Sequence, residues 1–479
     1  MNLPVVLSKR HKRDRSIKDC EPGLPYTEVI IKGKRVNLCE NVIGNKKRNI
    51  IRISFSNDLL HSKILRKYPN IIKIYSKYLI NLPTTISEEN KIENIENINV
   101  DNLIIGGDTS ALGILSELSK NEKTVMISFK VLNDIEIEKT LIPQIQKEKF
   151  LKTLKDIIKE NEGKILKGIL LGKFDEGIGF LAGNKILLIR PKRTFLATGG
   201  RYIPPIFKGN DIPGIISKNL YMKLSEKFNH VIVIGNSDDA VKPLFNVKGK
   251  RILITNGVLF FSKYYKELID ENGIEIVKIK NLEVKRKKDK IITIADWHHF
   301  YSDVIVYAVI KQPKIDHASN LGIYYTFNTY FHIYMPYHTI EGKSEEYIYI
   351  AGGMRGISDE YTSFLSGKAA ANIRYIDELI TNMKDYTYIF EFYYNSDRRE
   401  NPSPYLYGED GYVCECEDIK LNEIKNQLKR GFNKVEEIKR TTGLGTGECQ
   451  GKFCTYIIGS LIRDNELITF RSPLYRLVV

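Results

Sequence analysis

The sequence predicts an α/β chain with two dinucleotide-binding units, preceded by a small β-rich region and followed by a small cysteine-bearing domain. Three observations carry this. Residues 100–105 are an apolar run that leads into Gly106-Gly107-Asp108 and then a helical stretch. Residues 231–234 repeat the pattern, leading into Gly235-Asn236-Ser237. Strand, glycine turn and helix in that order is the context in which a nucleotide-binding fingerprint has meaning. Four of the six cysteines then sit near the C-terminal end, as Cys414-Glu415-Cys416 and Cys449-Gln450-Gly451-Lys452-Phe453-Cys454.

The chain has 479 residues, of which 42% are hydrophobic and 27% charged. That is ordinary for a folded protein, and the length suits about three domains of roughly 150 residues. No run approaches the roughly 18 apolar residues of a membrane-spanning helix. A basic cluster, Lys9 to Arg15, is followed by no apolar core, so no signal peptide is expected. Net charge is +15, but lysine is spread along the chain among acidic residues. This speaks against nucleic acid as a partner and for a solvated basic surface or an acidic partner protein. Six cysteines in so long a chain do not make a disulfide scaffold, and a reducing cytoplasm is the expected compartment.

Residues 1–24 are charged. Residues 28–39 read as a hairpin about a Lys-Gly-Lys turn, 50–55 as a strand, and 58–67 as a helix capped by Asn57. Residues 85–99 read as a polar linker or surface strand. Cys20 and Cys39 stand alone and read as unliganded thiols. In the first unit Gly106 fits the tight turn and Ala111 the close helix packing. Asp108 stands where a second glycine would let backbone approach a pyrophosphate; a carboxylate there repels phosphate. The next strand, 123–128, ends in Ser128-Phe129-Lys130 with no acid for a ribose hydroxyl. Residues 141–161 have helical spacing, and 164–190 read as a meander. Residues 194–200 form a buried strand ending in Thr198-Gly199, where glycine lets backbone lie against a ligand.

In the second unit Asp238 and Asp239 again put negative charge where phosphates would sit, which weighs against a second nucleotide, NAD(P) or ATP. Trp297-His298-His299 carries two adjacent histidines on a strand. They point to opposite faces, so no metal site is expected. Residues 346–350 read as a strand ending in Ala351-Gly352-Gly353, followed by a small-residue helix over 361–383. No Ser/His/Asp or paired-carboxylate arrangement stands out. Two close pairs of thiolates suit a metal or an iron–sulfur cluster, and four thiolates also suit zinc.

The order of parts resembles the flavoproteins with two dinucleotide-binding domains. Thr441-Thr442, Gly445, Gly447 through Cys454, Arg471-Ser472-Pro473 and Asn210 through Ile215 narrow the resemblance. It is to the alpha subunit of the heteromeric sarcosine oxidase, dye-linked L-proline dehydrogenase and hydrogen cyanide synthase family, over roughly residues 100–479. The resemblance implies Rossmann-like domains of glutathione-reductase type over 99–400, with the second unit inserted at about 218–310. It implies a degenerate ferredoxin-like region over 1–98 and a helical domain over 401–479 resembling bacterioferritin-associated ferredoxin. There Cys414, Cys416, Cys449 and Cys454 would hold [2Fe-2S], framed by a helix over 421–430 and one starting near Lys452. Gly445 and Gly447 would let backbone amides reach the cluster sulfurs. Gly106, Gly107, Ser110, Ala111, Thr198, Gly199, Gly235, Gly352 and Gly353 would line the nucleotide sites, FAD in the first. The implied function is electron transfer as one subunit of an amine or imino-acid dehydrogenase or oxidase. A catalytic beta-type flavoprotein subunit would oxidise the CH–NH bond. Small ferredoxin-like subunits and an external electron acceptor would complete the partners. The departures at Asp108, after Ile127 and at Asp238-Asp239 leave another reading open: a cluster-bearing scaffold with empty nucleotide sites. The lack of cysteine between Cys39 and Cys414 argues against thiol–disulfide chemistry.

Overall fold

A computed structural model gives the fold. It describes residues 5–8, 13–25, 28–31 and 34–37, and most of 92–475 apart from 93, 132–136, 138, 226–227, 248, 288–289, 395–399 and 448. The expected strand over 50–55, the helix over 58–67, most of the linker and Cys39 lie outside these residues. The hairpin is present as Glu28–Ile31 paired antiparallel with Lys34–Asn37.

The first sheet has eight strands. Its centre is the pair Asn94–Ile105 and Lys185–Leu196, parallel along their length. Thr124–Ser128 and Ile165–Lys167 extend it on one side, and Ile348–Ile350 on the other, all parallel. Parallel strands need crossovers that cover both faces, so their inner residues are apolar throughout; Leu103, Ile104, Leu196 and Ile350 are fully buried. The first half of Lys185–Leu196 also carries an antiparallel hairpin, Ile169–Phe174 with Gly177–Ala182, which is the expected meander.

The helix after the first glycine turn, Thr109–Glu117, lies against Glu360–Ala371. Glycine makes this crossing close. A Cβ on Gly113 would stand 2.2 Å from the Phe364 carbonyl oxygen, and one on Gly367 would stand 2.0 Å from that of Ser110. The small-residue helix stops sooner than its spacing predicts: Asn372 leaves helical geometry and its side chain accepts from the Arg374 backbone N–H, and a new helix runs from Ile376 to Tyr386. The helix expected from residue 141 begins at Lys147; Pro143 disfavours helical backbone at Ile142.

The second sheet has five parallel strands, Ile215–Ser217, Val304–Ala308, Val231–Gly235, Ile252–Thr255 and Glu275–Lys278. Its helix after the glycine turn lasts four residues, Asp238–Val241, before a 3-10 turn. Pro243 has no N–H to continue the ladder. A meander of Leu282–Lys287, Lys290–Ala295 and His298–Ser302 follows, with His298 and His299 both exposed.

The C-terminal region is a two-strand ribbon, Tyr412–Cys414 with Ile419–Lys420, and three helices: Leu421–Lys429, Val435–Thr442 and Cys454–Ile462. The middle helix is additional to the two that the sequence suggests. It begins where Glu437 accepts from the Lys434 N–H and ends at Gly443, whose φ of 79° suits glycine. One apolar core runs unbroken from both sheets into this region, through Leu103, Val233, Ile424 and Tyr456.

Candidate functional site: two pockets and the wall between them

The first pocket opens at the C-terminal ends of the first sheet's parallel strands, where ligands bind in open α/β folds. Gly106, Gly107, Thr198, Gly199 and Gly353, from the expected set, line it. Gly107 lies under the loop after Ser128: a Cβ there would stand 2.4 Å from the Lys130 carbonyl oxygen. Gly199, at φ +78°, uses a conformation open to glycine. The remaining residues of the first site are set back. Ser110, Ala111 and Gly352 are buried in the packing of the two helices, with Gly352 against the Ser110 side chain. Asp108 caps its own helix, accepting from the Ser110 N–H at 3.2 Å and hydroxyl at 2.7 Å. Burial pushes its carboxyl above the ordinary range. The pocket's positive charge comes instead from Lys130, Lys223, Lys311 and Lys314. Its backbone therefore fits a nucleotide cofactor, while its helix end is already occupied by the chain's own carboxylate.

The second glycine turn is closed. A Cβ on Gly235 would meet both Ala240 Cβ and the Ala308 carbonyl oxygen at 2.4 Å. Asp238 accepts from the Ser262 N–H at 2.8 Å and the Tyr388 N–H at 3.2 Å, and burial pushes its carboxyl up to about 7. Asp239 is buried between Lys242 at 3.1 Å and Lys218 at 3.3 Å. Burial alone would raise its carboxyl, but those ammonium groups outweigh it and hold the group below the ordinary range. Each group that would face a phosphate is engaged inside the fold.

The four clustered cysteines share a small cavity with Pro204, Val413, Phe453 and Ile457. Cys416 and Cys449 lie 3.7 Å apart, sulfur to sulfur. Cys414 bonds to both Cys416 and Cys454, so the thiols form a row. Among the described residues no three His, Cys, Asp or Glu side chains surround one point as ligands of a single ion. A row of thiols suits a binuclear centre, in which each iron takes two thiolates. Hydrogen bonds from Cys416 and Cys454 hold the Cys414 thiol low, and the same bonds push the Cys416 and Cys454 thiols up. The Gly445 backbone also bonds to Cys414, and a Cβ on Gly447 would stand 2.3 Å from Cys416 Cβ. Both glycines thus lie beside the cysteines.

Between the pockets runs a buried set of charges that no sequence pattern reveals. Arg201 Nε donates to Glu21 Oε2 at 3.1 Å, and its second terminal nitrogen pairs with Glu21 Oε1. The same guanidinium reaches both Asp316 oxygens at 3.2 Å and the Lys452 carbonyl at 3.4 Å. Glu21 also lies 3.5 Å from Lys314. Residues 17–24 thread this wall. Asp19, Cys20 and Glu21 line the first pocket, while Lys18 lines the cysteine pocket and pairs with Glu415 at 3.4 Å. Cys20 is disulfide-bonded, against the expectation of a free thiol. Arg201 directly follows the Thr198-Gly199-Gly200 turn, and that adjacency is the one local signal that could have pointed to it.

Comparison with known proteins agrees with this geometry. Residues 412–464 match the family described as BFD-like [2Fe-2S] binding domain. Over 145 residues the chain is 30% identical to one of the subunits of an opine oxidase from Rhizobium meliloti, covering 26% of this chain and 32% of that protein. Over 166 residues it is 24% identical to the HcnB component of hydrogen cyanide synthase from Pseudomonas protegens, covering 32% of this chain and 35% of that protein. The matches thus span about a third of the length of these curated relatives. Among solved structures, L-proline dehydrogenase from P. horikoshii superposes with a TM-score of 0.63 at 20% identity, covering 98% of this chain and 90% of that chain. That likeness shows a shared fold along nearly the whole chain.

Proposed function

For a chain with a BFD-like [2Fe-2S] binding domain at 412–464, set on the fold of an L-proline dehydrogenase, we propose an electron-transferring role. The chain is the alpha-type component of a heteromeric FAD-dependent oxidoreductase acting on CH–NH bonds of amines or imino acids. Its partner is a catalytic beta-type flavoprotein, and electrons pass through FAD and [2Fe-2S] to an external acceptor. The observation that supports this most is the adjacency of the two pockets. Residues 18–21 reach both: Asp19, Cys20 and Glu21 line the nucleotide-type cleft, and Lys18 lines the cysteine cavity.

When bound, a flavin exchanges electrons in pairs or singly, and an iron–sulfur cluster takes them singly. The chain's residues supply the setting. Gly106, Gly107, Thr198 and Gly199 present open backbone to the ligand. Lys130, Lys311 and Lys314 offer cations for its phosphates. Cys414, Cys416, Cys449 and Cys454 would take the irons, in a small cavity lined also by Val413, Phe453 and Ile457. HcnB and the opine oxidase relative are both named as subunits, which supports a partner here.

A second reading has its own observations. Asp108 fills the helix end of the first site, and the second turn is closed. A cluster-bearing scaffold without flavin would look this way. The visible spectrum of the purified chain, with released flavin assayed after heat denaturation, separates the two. Stoichiometric flavin is expected; a cluster spectrum without flavin would favour the scaffold.

A further inference from the structure

Beyond Lys18 and Asp19, a cluster of five buried or nearly buried charged groups adjoins the first cleft: Arg201, Glu21, Asp316, Lys314 and Lys452. Four of them balance, two cations against two carboxylates. Lys452 is the fifth. Its residue is 2% exposed. Its ammonium donates to the Cys449 carbonyl at 3.2 Å and the Leu474 carbonyl at 3.0 Å, and lies 4.9 Å from the centre of the Tyr475 ring. Its own carbonyl accepts from Arg201 at 3.4 Å. Backbone and side chain of one residue therefore tie a cluster cysteine to the charges that border the first cleft.

We propose that Lys452 is the positioning residue that sets the reduction potential of the cluster and couples that potential to the charges of the first cleft. This rests on the reading of the four cysteines as [2Fe-2S] ligands. Adding an electron to such a centre increases its negative charge in a buried, poorly screened place. A fixed cation nearby stabilises the reduced form, and low dielectric strengthens the effect. Glu21 acts through the same field with opposite sign. It lines the first cleft, so a change of charge there reaches the cluster through the Arg201 guanidinium and Lys452.

The test is a mediated redox titration of the full chain, followed by the electron paramagnetic resonance of the reduced cluster. It compares wild type with Lys452→Gln, Lys452→Arg and Glu21→Gln. Lys452→Gln is expected to weaken reduction about tenfold, or ~59 mV lower for one electron. Lys452→Arg should stay at the wild-type value, and Glu21→Gln should move the potential upward. The opposite signs separate a charge effect from general disturbance of the site. Equal shifts in Gln and Arg variants, or no shift with the cluster fully loaded, would overturn the proposal. If Lys452→Gln does not hold the cluster, Glu21→Gln decides alone: a raised potential supports the coupling and an unchanged one rejects it. Wild-type protein without any cluster signal would instead defeat the ligand assignment itself.

Discussion

Glu21 shows how one residue's surroundings become a pH dependence. Burial pushes its carboxyl up, but Arg201 and Lys314 outweigh that and hold it at about 2, against an ordinary value of 4.5. A depressed carboxylate contributes stability that is present above its ordinary value and lost as pH falls towards its folded value. His317, in the same region, is held by burial at about 4 against 6.5. The unfolded chain therefore takes up that proton first, and stability falls in the same direction between about pH 6.5 and about pH 4. Asp238, raised to about 7 by burial, acts with the opposite sign and adds stability as pH falls below about 7, so the Glu21 contribution is read from the difference between wild-type and variant thermal melts. Glu21→Gln should flatten the lower part, below about pH 4.5, and leave the His317 part in place; an unchanged lower limb would mean that the Arg201 pairing contributes little. At this scale the sequence was legible only where spacing carries chemistry. The C-x-C and C-x4-C pairs announced themselves as ligands. Glu21, Arg201 and Asp316 meet across 180 and 115 residues, and no local pattern marks such a meeting.

Among elements, the contact of Thr109–Glu117 with Glu360–Ala371 positions the first pocket. Helical glycine normally costs about 1 kcal/mol relative to alanine. Gly367→Ala should nevertheless destabilise, because its Cβ would stand 2.0 Å from a backbone oxygen that cannot swing away. Overpacking of this kind costs ~1–3 kcal/mol, and the parting helices would widen the glycine turn at Gly106 and Gly107. Chemical denaturation checks the sign; a gain in stability would show that the helices separate freely. The strand–glycine turn–helix order was legible in both units because apolar runs and glycines are local signals. What closed the second unit was not. Its helix gives way after four residues, just ahead of Pro243, and Lys218 and Lys242 hold Asp239 inside the fold. The sequence showed acidic residues facing a phosphate site; the structure shows the same residues engaged and enclosed.

Across the whole molecule, residues 18–21 reach both pockets, and one apolar cluster runs from the two sheets to the C-terminal helices. The N-terminal segment 17–24 is part of this buried region, although the sequence marks residues 1–24 only as charged. Lys18, Asp19 and Glu21 are charged because they pair inside the molecule, not because they meet water. Among the described residues no helix is long and apolar enough to cross a membrane. The four cysteines share one small cavity inside the BFD-like match over 412–464. Iron and acid-labile sulfide analysis of the anaerobically purified chain, with electron paramagnetic resonance after dithionite reduction, tests their role as cluster ligands most directly. Two irons and two sulfides per chain are expected, the stoichiometry of [2Fe-2S], with a paramagnetic signal only on reduction. One zinc per chain, without iron or signal, would contradict it.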